Sequence, residues 1–316
     1  MSVPKSPSPR YPLKGSPLYQ IRSIRRLAEV LQWRRVPSAL RAFSKEDNFS
    51  RFTDKTRPDK PRQIQAPRPL VKSLQARLAN LLGRIELPDY LHSGRRGRSY
   101  LTNSDAHAGA SGATVKVDIS DFFQSVSQNR VERFFLVDLG WPRDLAEIGA
   151  RLVCCDGHLA TGSPASPILS YFVNRQLFDA VAERAARRGA LFTLYMDDLA
   201  VTGAGVGHGD VRFLTRLLER GRLRVKRSKT RVYRARHPKE ITGRILKDGR
   251  SRAPNKQHKK LHQSLITLQG DPTNAGLRAS AVGRLQHVAL LDDERRGDLK
   301  AKARVLAAAG RGQGGN

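Results

Sequence analysis

The sequence predicts an α+β fold in which a strand-bearing middle lies between two helical, basic flanks. Two short runs, 191–196 and 199–202, are apolar and β-branched, the pattern of adjacent buried strands joined by a tight turn. Leu18, Ile21, Ile24, Leu27 and Leu31 recur at helical spacing near one end, and residues 261–268, 279–290 and 299–309 do so near the other. Strand signals fade beyond Arg244.

Taken in order, residues 18–31 read as a one-faced helix, and 43–67 as a polar extended segment. Leu70, Leu74, Leu78, Leu81, Leu82 and Ile85 then mark a second amphipathic helix, and residues 94–99 a turn rich in arginine. A strand over 114–119 carries a lone acid, Asp118, and is followed by Asp121-Phe122-Phe123 and a helix to about Leu136. Residues 162–167, Gly-Ser-Pro-Ala-Ser-Pro, turn into a long helix whose buried face is Ile168, Leu169, Phe172, Val173, Leu177 and Val181. The paired strands come next, then a loop with glycine at 203, 205, 207 and 209, and a helix over 211–218. That loop lacks the third glycine of a dinucleotide fingerprint, since His208 stands in its place. There is no internal repeat.

The charge is distributed as a groove would require. Lys and Arg number 58 against 28 Asp and Glu, a net charge of +30, and an excess of that size attracts polyanions, nucleic acid first. Residues 1–72 hold 17 basic and 5 acidic side chains, and 222–260 hold 16 and 2, so two basic regions flank the acidic pair of the middle. No apolar run approaches the roughly 20 residues needed to span a bilayer, which predicts no membrane partner. Residues 1–16 read as a disordered basic arm without a secretory h-region, and 310–316 as a frayed tail. The two cysteines, Cys154 and Cys155, are neighbours in an apolar stretch, which fits core packing in a reducing cytoplasm. His258 and His262 share a helical face, but no cysteine or carboxylate nearby completes a zinc site.

Asp197 and Asp198 sit between the paired strands, where acids are depleted and seldom buried without a partner. A divalent cation is the obvious partner, so the pair points to a metal-dependent enzyme. Nucleotidyl transfer by two ions needs hard oxygen ligands, and Asp118, Asp197 and Asp198 supply them if the 114–119 strand lies beside the hairpin. The plainer alternative is that Asp118 caps a turn and the pair is an ordinary hairpin turn.

Tyr195-Met196-Asp197-Asp198 resembles the active-site box of reverse transcriptases, and Val117-Asp118-Ile119-Ser120-Asp121-Phe122-Phe123 their first palm motif. The resemblance implies a right-hand polymerase: fingers over 17–110, a palm over 111–243 with the catalytic hairpin, and a helical thumb over 244–309. It implies Asp118, Asp197 and Asp198 as ligands of two Mg²⁺ ions, with Mn²⁺ as substitute, and deoxynucleoside triphosphates as substrates. Asp121, Phe122 and Phe123 would lie at the nucleotide, with Phe123 at the position that excludes a ribose 2′-hydroxyl. Gly162, Ser166 and Pro167, with Asn174, resemble the motif that cradles the incoming base pair, although Thr161 stands where many of these enzymes have Gln. Lys229 matches the basic residue near the triphosphate, and Lys60 and Arg62 the fingers' contacts to its outer phosphates.

Two shorter matches point to the retron group. Asn103-Ser104-Asp105-Ala106-His107 resembles its Asn-Ala-x-x-His signature, and Ile241-Thr242-Gly243 its Val-Thr-Gly signature. The group implies a structured non-coding RNA as template and primer, and an RNA-linked single-stranded DNA with an RNA–DNA hybrid as product. It further implies a role in defence against phage with a separate effector protein. Asn103, His107, Thr242, Gly243, Arg244, Lys256, Lys259 and Lys260 would then bind RNA. The length is expected to leave no room for a maturase or endonuclease domain. The alternatives are another bacterial reverse transcriptase with 3′ priming (defence-associated, diversity-generating or group II intron-like) and a catalytically inactive RNA-binding scaffold.

Overall fold

The structure, a computed structural model, describes residues 10–56 and 61–309. Residues 1–9 of the expected basic arm, Lys60 and the tail from 310 lie outside the described residues. Residues 10–16 of that arm are not disordered but hold a short 3-10 turn at Leu13–Gly15, with the Tyr11 amide bonded to the Arg84 carbonyl. The chain is α+β, as predicted.

The first helix is shorter than the apolar spacing predicts. Leu18 and Ile21 are buried but precede it; Ser23 accepts from the Arg26 amide and starts helix α1 at Ile24–Leu31. A hydroxyl that satisfies a free amide at the first turn fixes the start more firmly than periodicity does. Helix α2 (Ala39–Phe43) follows. The segment expected to be merely extended forms an antiparallel hairpin of β1 (Phe49–Asp54) and β2 (Arg62–Pro67). Helix α3 (Pro69–Leu82) begins with proline at its first position and buries Val71, Leu74, Leu78, Leu81 and Leu82. Helix α4 (Tyr100–Ala108), which periodicity does not reveal, is capped reciprocally by Ser99 and Thr102.

The central sheet is built on β3 (Ala113–Ser120). Between it and its hairpin partners come α5 (Gln128–Arg133), a π-helical turn at Phe134–Asp138, α6 (Arg143–Val153), the short β4 (Cys154–Cys155) and β5 (His158–Leu159), and α7 (Ser166–Arg187). Strands β6 (Leu191–Tyr195) and β7 (Asp198–Gly203) form the expected hairpin, with α8 (His208–Arg220) after it. Short strands β8 (Arg224–Val225) and β9 (Arg231–Tyr233) follow. The order across the sheet is β6-β7-β3, with β8 and β9 both on the far side of β3, and every pairing is antiparallel. Alternate residues of β3 face opposite sides, so Val115, Val117 and Ile119 are buried while Lys116 and Asp118 share the other face. Residues 90–92 run alongside β6: the Leu194 amide donates to Tyr90 and the His92 amide to the Leu194 carbonyl.

Strand structure does not end at Arg244. Strands β10 (Lys239–Ile241), β11 (Arg244–Lys247) and β12 (Arg250–Arg252) make a small antiparallel sheet. Helices α9 (Asn255–Gly270), α10 (Ala275–Leu291) and α11 (Arg296–Ala308) complete the chain and bury a core of their own around Leu261, Leu285, Val288 and Leu299. Tyr100 and Leu101 of α4 pack against that second core. Among the described residues no helix is long and apolar enough to cross a membrane.

Candidate active site

The register of β3 against β7 sets Asp118 directly opposite Asp198. Cross-strand partners lie about 5 Å apart at Cα and present their side chains to one face. The hairpin closes through the pair Tyr195 and Asp198, leaving Met196 and Asp197 as a two-residue turn. Met196 has φ +54°, a conformation that turns of this length require and that usually calls for glycine. A strained non-glycine residue persists only where its surroundings hold it. Two hydrogen bonds do so: the Met196 amide donates to Ser93 Oγ at 2.9 Å, and the Ile119 amide to the Asp197 carbonyl at 2.8 Å.

Each strand carboxylate lies under a lysine. Lys229 Nζ donates to Asp118 Oδ2 at 2.5 Å, and Lys116 Nζ lies 3.0 Å from Asp198 Oδ2. Lys116 and Asp198 keep only 15% and 14% of their side-chain surface exposed, so neither charge is dissipated by water. Burial pushes the Asp198 carboxyl up to about 6, against the pull of Lys116. Burial and the neighbouring Asp118 raise Asp197 as well. Burial opposes the charge on Lys116, but attraction to Asp198 and the bond to it outweigh burial and hold the ammonium above its usual value. Asp198 Oδ1 is buried with no hydrogen-bond partner.

Among the described residues no three His, Cys, Asp or Glu side chains close into a metal-holding group. Each of the two lysines draws a carboxylate oxygen to itself. The donor set nevertheless suits a hard divalent cation: carboxylate oxygens only, two directly opposite in register, one with an unpartnered oxygen. Lys229 would have to release Asp118 for such an ion to be shared.

The expected nucleotide-side residues divide. Asp121 is exposed with φ +47°, and Phe123 is half-buried and stacks on the buried Phe122 at 5.9 Å between centroids. Gly162 is exposed, and its amide donates to Gln65 of β2; a Cβ there would stand 2.7 Å from that carbonyl. Thr161 Oγ1 accepts from the Gln65 amide and donates to the Gln63 carbonyl, so this hydroxyl, where the resemblance leads one to expect an amide, ties the turn to β2. Ser166 is fully buried and caps the Ala160 carbonyl, a structural role, and Pro167 is half-buried in the first turn of α7. Arg62 is exposed on β2. Asn174 is buried; its side chain accepts from Arg130 and donates to Ser170 rather than facing the hairpin.

The expected RNA contacts divide too. Lys256, Lys259 and Lys260 are exposed on α9, with Lys256 bonded to Glu240 at 2.7 Å. Asn103, His107 and Arg244 are instead interior, at 1%, 0% and 2% exposure, because α4 lies between the central sheet and the C-terminal elements. His107 bridges Thr202 of β7 and Thr193 of β6 at 2.7 and 2.8 Å, and burial holds its imidazole at about 3, so it is neutral. Arg244 binds Ser104 and Asp105 of α4, Ser251 of β12 and Asp293 after α10. Thr242, at φ +41°, donates to the Tyr100 carbonyl, and Gly243 follows at φ +83°. Helix α4 and the 242–244 turn, which carry the two retron-like signatures, are thus joined through Tyr100 and Arg244 beside them. Lys116, which sequence reasoning missed, was legible as the only other charge on the Asp118 face of β3.

No protein-family model matches the chain. Curated proteins do. Retron Ec86 reverse transcriptase of Escherichia coli is 27% identical over 190 residues, 58% of this chain and 58% of that protein. Two Myxococcus xanthus proteins, Retron Mx65 and Retron Mx162 reverse transcriptases, are 32% identical over 203 residues and 28% over 227. Those alignments take in 58% and 61% of this chain, and 47% and 46% of the relatives. The chain therefore spans about half the length of the curated relatives it matches. By sequence, it is a relative of the retron reverse transcriptases.

Proposed function

We propose that the chain is an RNA-directed DNA polymerase of the retron type, with the right-hand layout of fingers, palm and thumb. One observation carries this: Asp118 stands opposite Asp198 at the mouth of a tight hairpin whose tip is Asp197, on the face that also presents two lysines. Polymerisation needs carboxylates on a rigid element and cations close enough to trade partners with phosphate, and both are supported.

Asp118, Asp197 and Asp198 would hold Mg²⁺, two ions by analogy with nucleotidyl transferases, which would activate the attacking hydroxyl and neutralise the leaving pyrophosphate. The protein's own part is positional. Lys116 keeps Asp198 ionised despite its burial. Lys229, 47% exposed, guards Asp118 and would release it to reach a triphosphate. Phe123, stacked on Phe122, would form the floor under the deoxyribose. The exposed lysines of α9 would grip a structured non-coding RNA through its phosphates and 2′-hydroxyls. An RNA-linked single-stranded DNA as product, and phage defence with an effector, follow from kinship with retrons.

The test is primer extension on an RNA template with deoxynucleotides and Mg²⁺. Asp197→Asn with Asp198→Asn should abolish extension while leaving RNA retention on a filter unchanged. Extension that persists in this double variant would refute the assignment. If the wild-type product shortens with debranching enzyme, priming is from a 2′-hydroxyl.

A further inference from the structure

Behind the central sheet, α5, α7 and the end of α8 enclose an open cleft of about 570 Å³. Its lining includes Arg130, Arg133, Arg175, Arg220 and Arg222, against one carboxylate, Asp138. Neither Asp118, Asp197 nor Asp198 lines it. We infer that this cleft is a second nucleic-acid site, taking the phosphates of a single-stranded RNA segment outside the catalytic groove. The inference rests on the proposed RNA partner and adds where part of that RNA runs.

Arginines brought together without counter-charge repel one another, and a fold tolerates this where an anion completes the set. Among the described residues Arg130, Arg133, Arg220 and Arg222 make no ion pair, and Arg175 reaches only Asp179, at 3.8 Å. Arg130 is held in place by Asn174, whose side-chain oxygen accepts from it at 2.6 Å. The other guanidinium nitrogen, Nη1, is buried and unpartnered. Burial and the proximity of Arg222 both disfavour the charge on Arg130. Planar guanidinium forks match phosphate oxygens in pairs, and five of them exceed what one phosphate would use.

The walls are firm. Gly221 ends α8 so close to α7 that a Cβ there would overlap the Leu177 side chain. Phe134 and Phe172 are buried behind the cleft and stack on each other at 5.4 Å between centroids. The π-helical turn at the rim leaves Val137 63% exposed, an apolar ledge on which an unpaired base can rest. A positively charged groove is what tracks the backbone of a single strand. Leu223 and Arg224 follow Arg222 directly, and Arg224 pairs with Ser120 of β3, so this wall is continuous with the strand that carries Asp118.

The experiment measures the affinity of the full chain for a labelled single-stranded RNA across a salt series. Arg133→Gln with Arg222→Gln removes two exposed members, and Val137→Glu sets a negative charge on the rim without entering the core. Arg151→Gln with Arg187→Gln is the control, taking equal charge from arginines already paired to glutamates. The first double variant should lower the slope of log affinity against log salt by about 1.4, at ~0.7 for each phosphate contact on a single strand. Val137→Glu should weaken binding several-fold, and the control should leave the slope unchanged. An unaltered slope, or an equal fall in the control, overturns the inference. So does a raised KM for deoxynucleotides with RNA affinity intact, which would mark a free-nucleotide site. Loss of oligoglutamate peptide binding in the variants, with RNA affinity unaffected, would assign the cleft to an acidic protein and overturn the inference. Failure of the polymerase proposal reads differently: wild-type protein would bind RNA with the full slope yet extend no primer.

Discussion

Replacing Lys116 by Met should destabilise the protein by an amount that grows with pH. Methionine keeps the length and apolar stem, so the change isolates the charge facing Asp198, which has only 14% of its side chain exposed. Removing one partner of a buried pair typically costs about 3–5 kcal/mol. The carboxyl can limit that cost by taking up a proton, at about 1.36 kcal/mol for each pH unit above its ordinary value near 3.9. The ceiling is therefore about 4 kcal/mol at pH 7 and about 1.5 kcal/mol at pH 5. In the wild type, Asp198 titrates near 6 in the folded state, above its unfolded value. The folded protein thus binds more protons between about pH 4 and 6, and this group's contribution to stability falls as pH rises through that window, then levels. Without Lys116, which lowers that value, the upper edge moves higher still, so the deficit of the variant keeps growing above pH 6. Urea unfolding of both proteins at pH 5 and 8 measures the difference. Adding Asp198→Asn should recover most of the loss at pH 8. An equal deficit at both pH values, or no recovery in the double variant, would refute the role given to Lys116.

Arg244→Met should cost about 1–3 kcal/mol in unfolding free energy, because it removes the buried guanidinium that joins Ser104 and Asp105 of α4 to Ser251 and Asp293. Amide exchange in α9 to α11 should quicken in that variant before exchange in the central sheet does. Met196→Gly should leave stability unchanged or raise it by up to about 1 kcal/mol, since glycine adopts positive φ without strain, and calorimetry can check this. Gly162→Ala should lose about 1–3 kcal/mol as its new methyl pushes against the Gln65 carbonyl, measurable by denaturant titration. A gain there would show that the contact between the 161–167 turn and β2 is looser than described.

The central hairpin and the long α7 were legible because both lie in the core, where burial imposes its period on the sequence. Strands β6 and β7 and the neighbouring β3 follow from runs such as Leu191-Phe192-Thr193-Leu194, and α7 from Ile168 to Val181. Strands β10 to β12 were not legible, since charged residues such as Arg250 and Arg252 alternate outward and only Ile241 and Leu246 reach an apolar cluster. Helix α4 was hidden for a related reason. Its buried face carries Asn103, Ser104 and His107, which are polar and satisfy neighbours instead of forming an apolar stripe. Asn103 and His107 were expected to bind RNA because of the signature they resemble, whereas in the fold His107 spends its hydrogen bonds on Thr202 and Thr193. The three aspartates were conspicuous in sequence and Lys229 matched a family position, but Lys116 and the pairing of the two lysines with Asp198 and Asp118 were not legible, because those salt bridges depend on register.

Residues 90–92 run beside β6 and take up both hydrogen-bonding groups of Leu194. An apolar outer strand with open amides and carbonyls invites another chain to pair with it. Short of a closed barrel, covering the strand is one of the ways a sheet avoids that hazard. The Tyr90 to His92 segment does this at Leu194, beside the hairpin tip, so that part of the apolar edge is withheld from self-association and fibril growth.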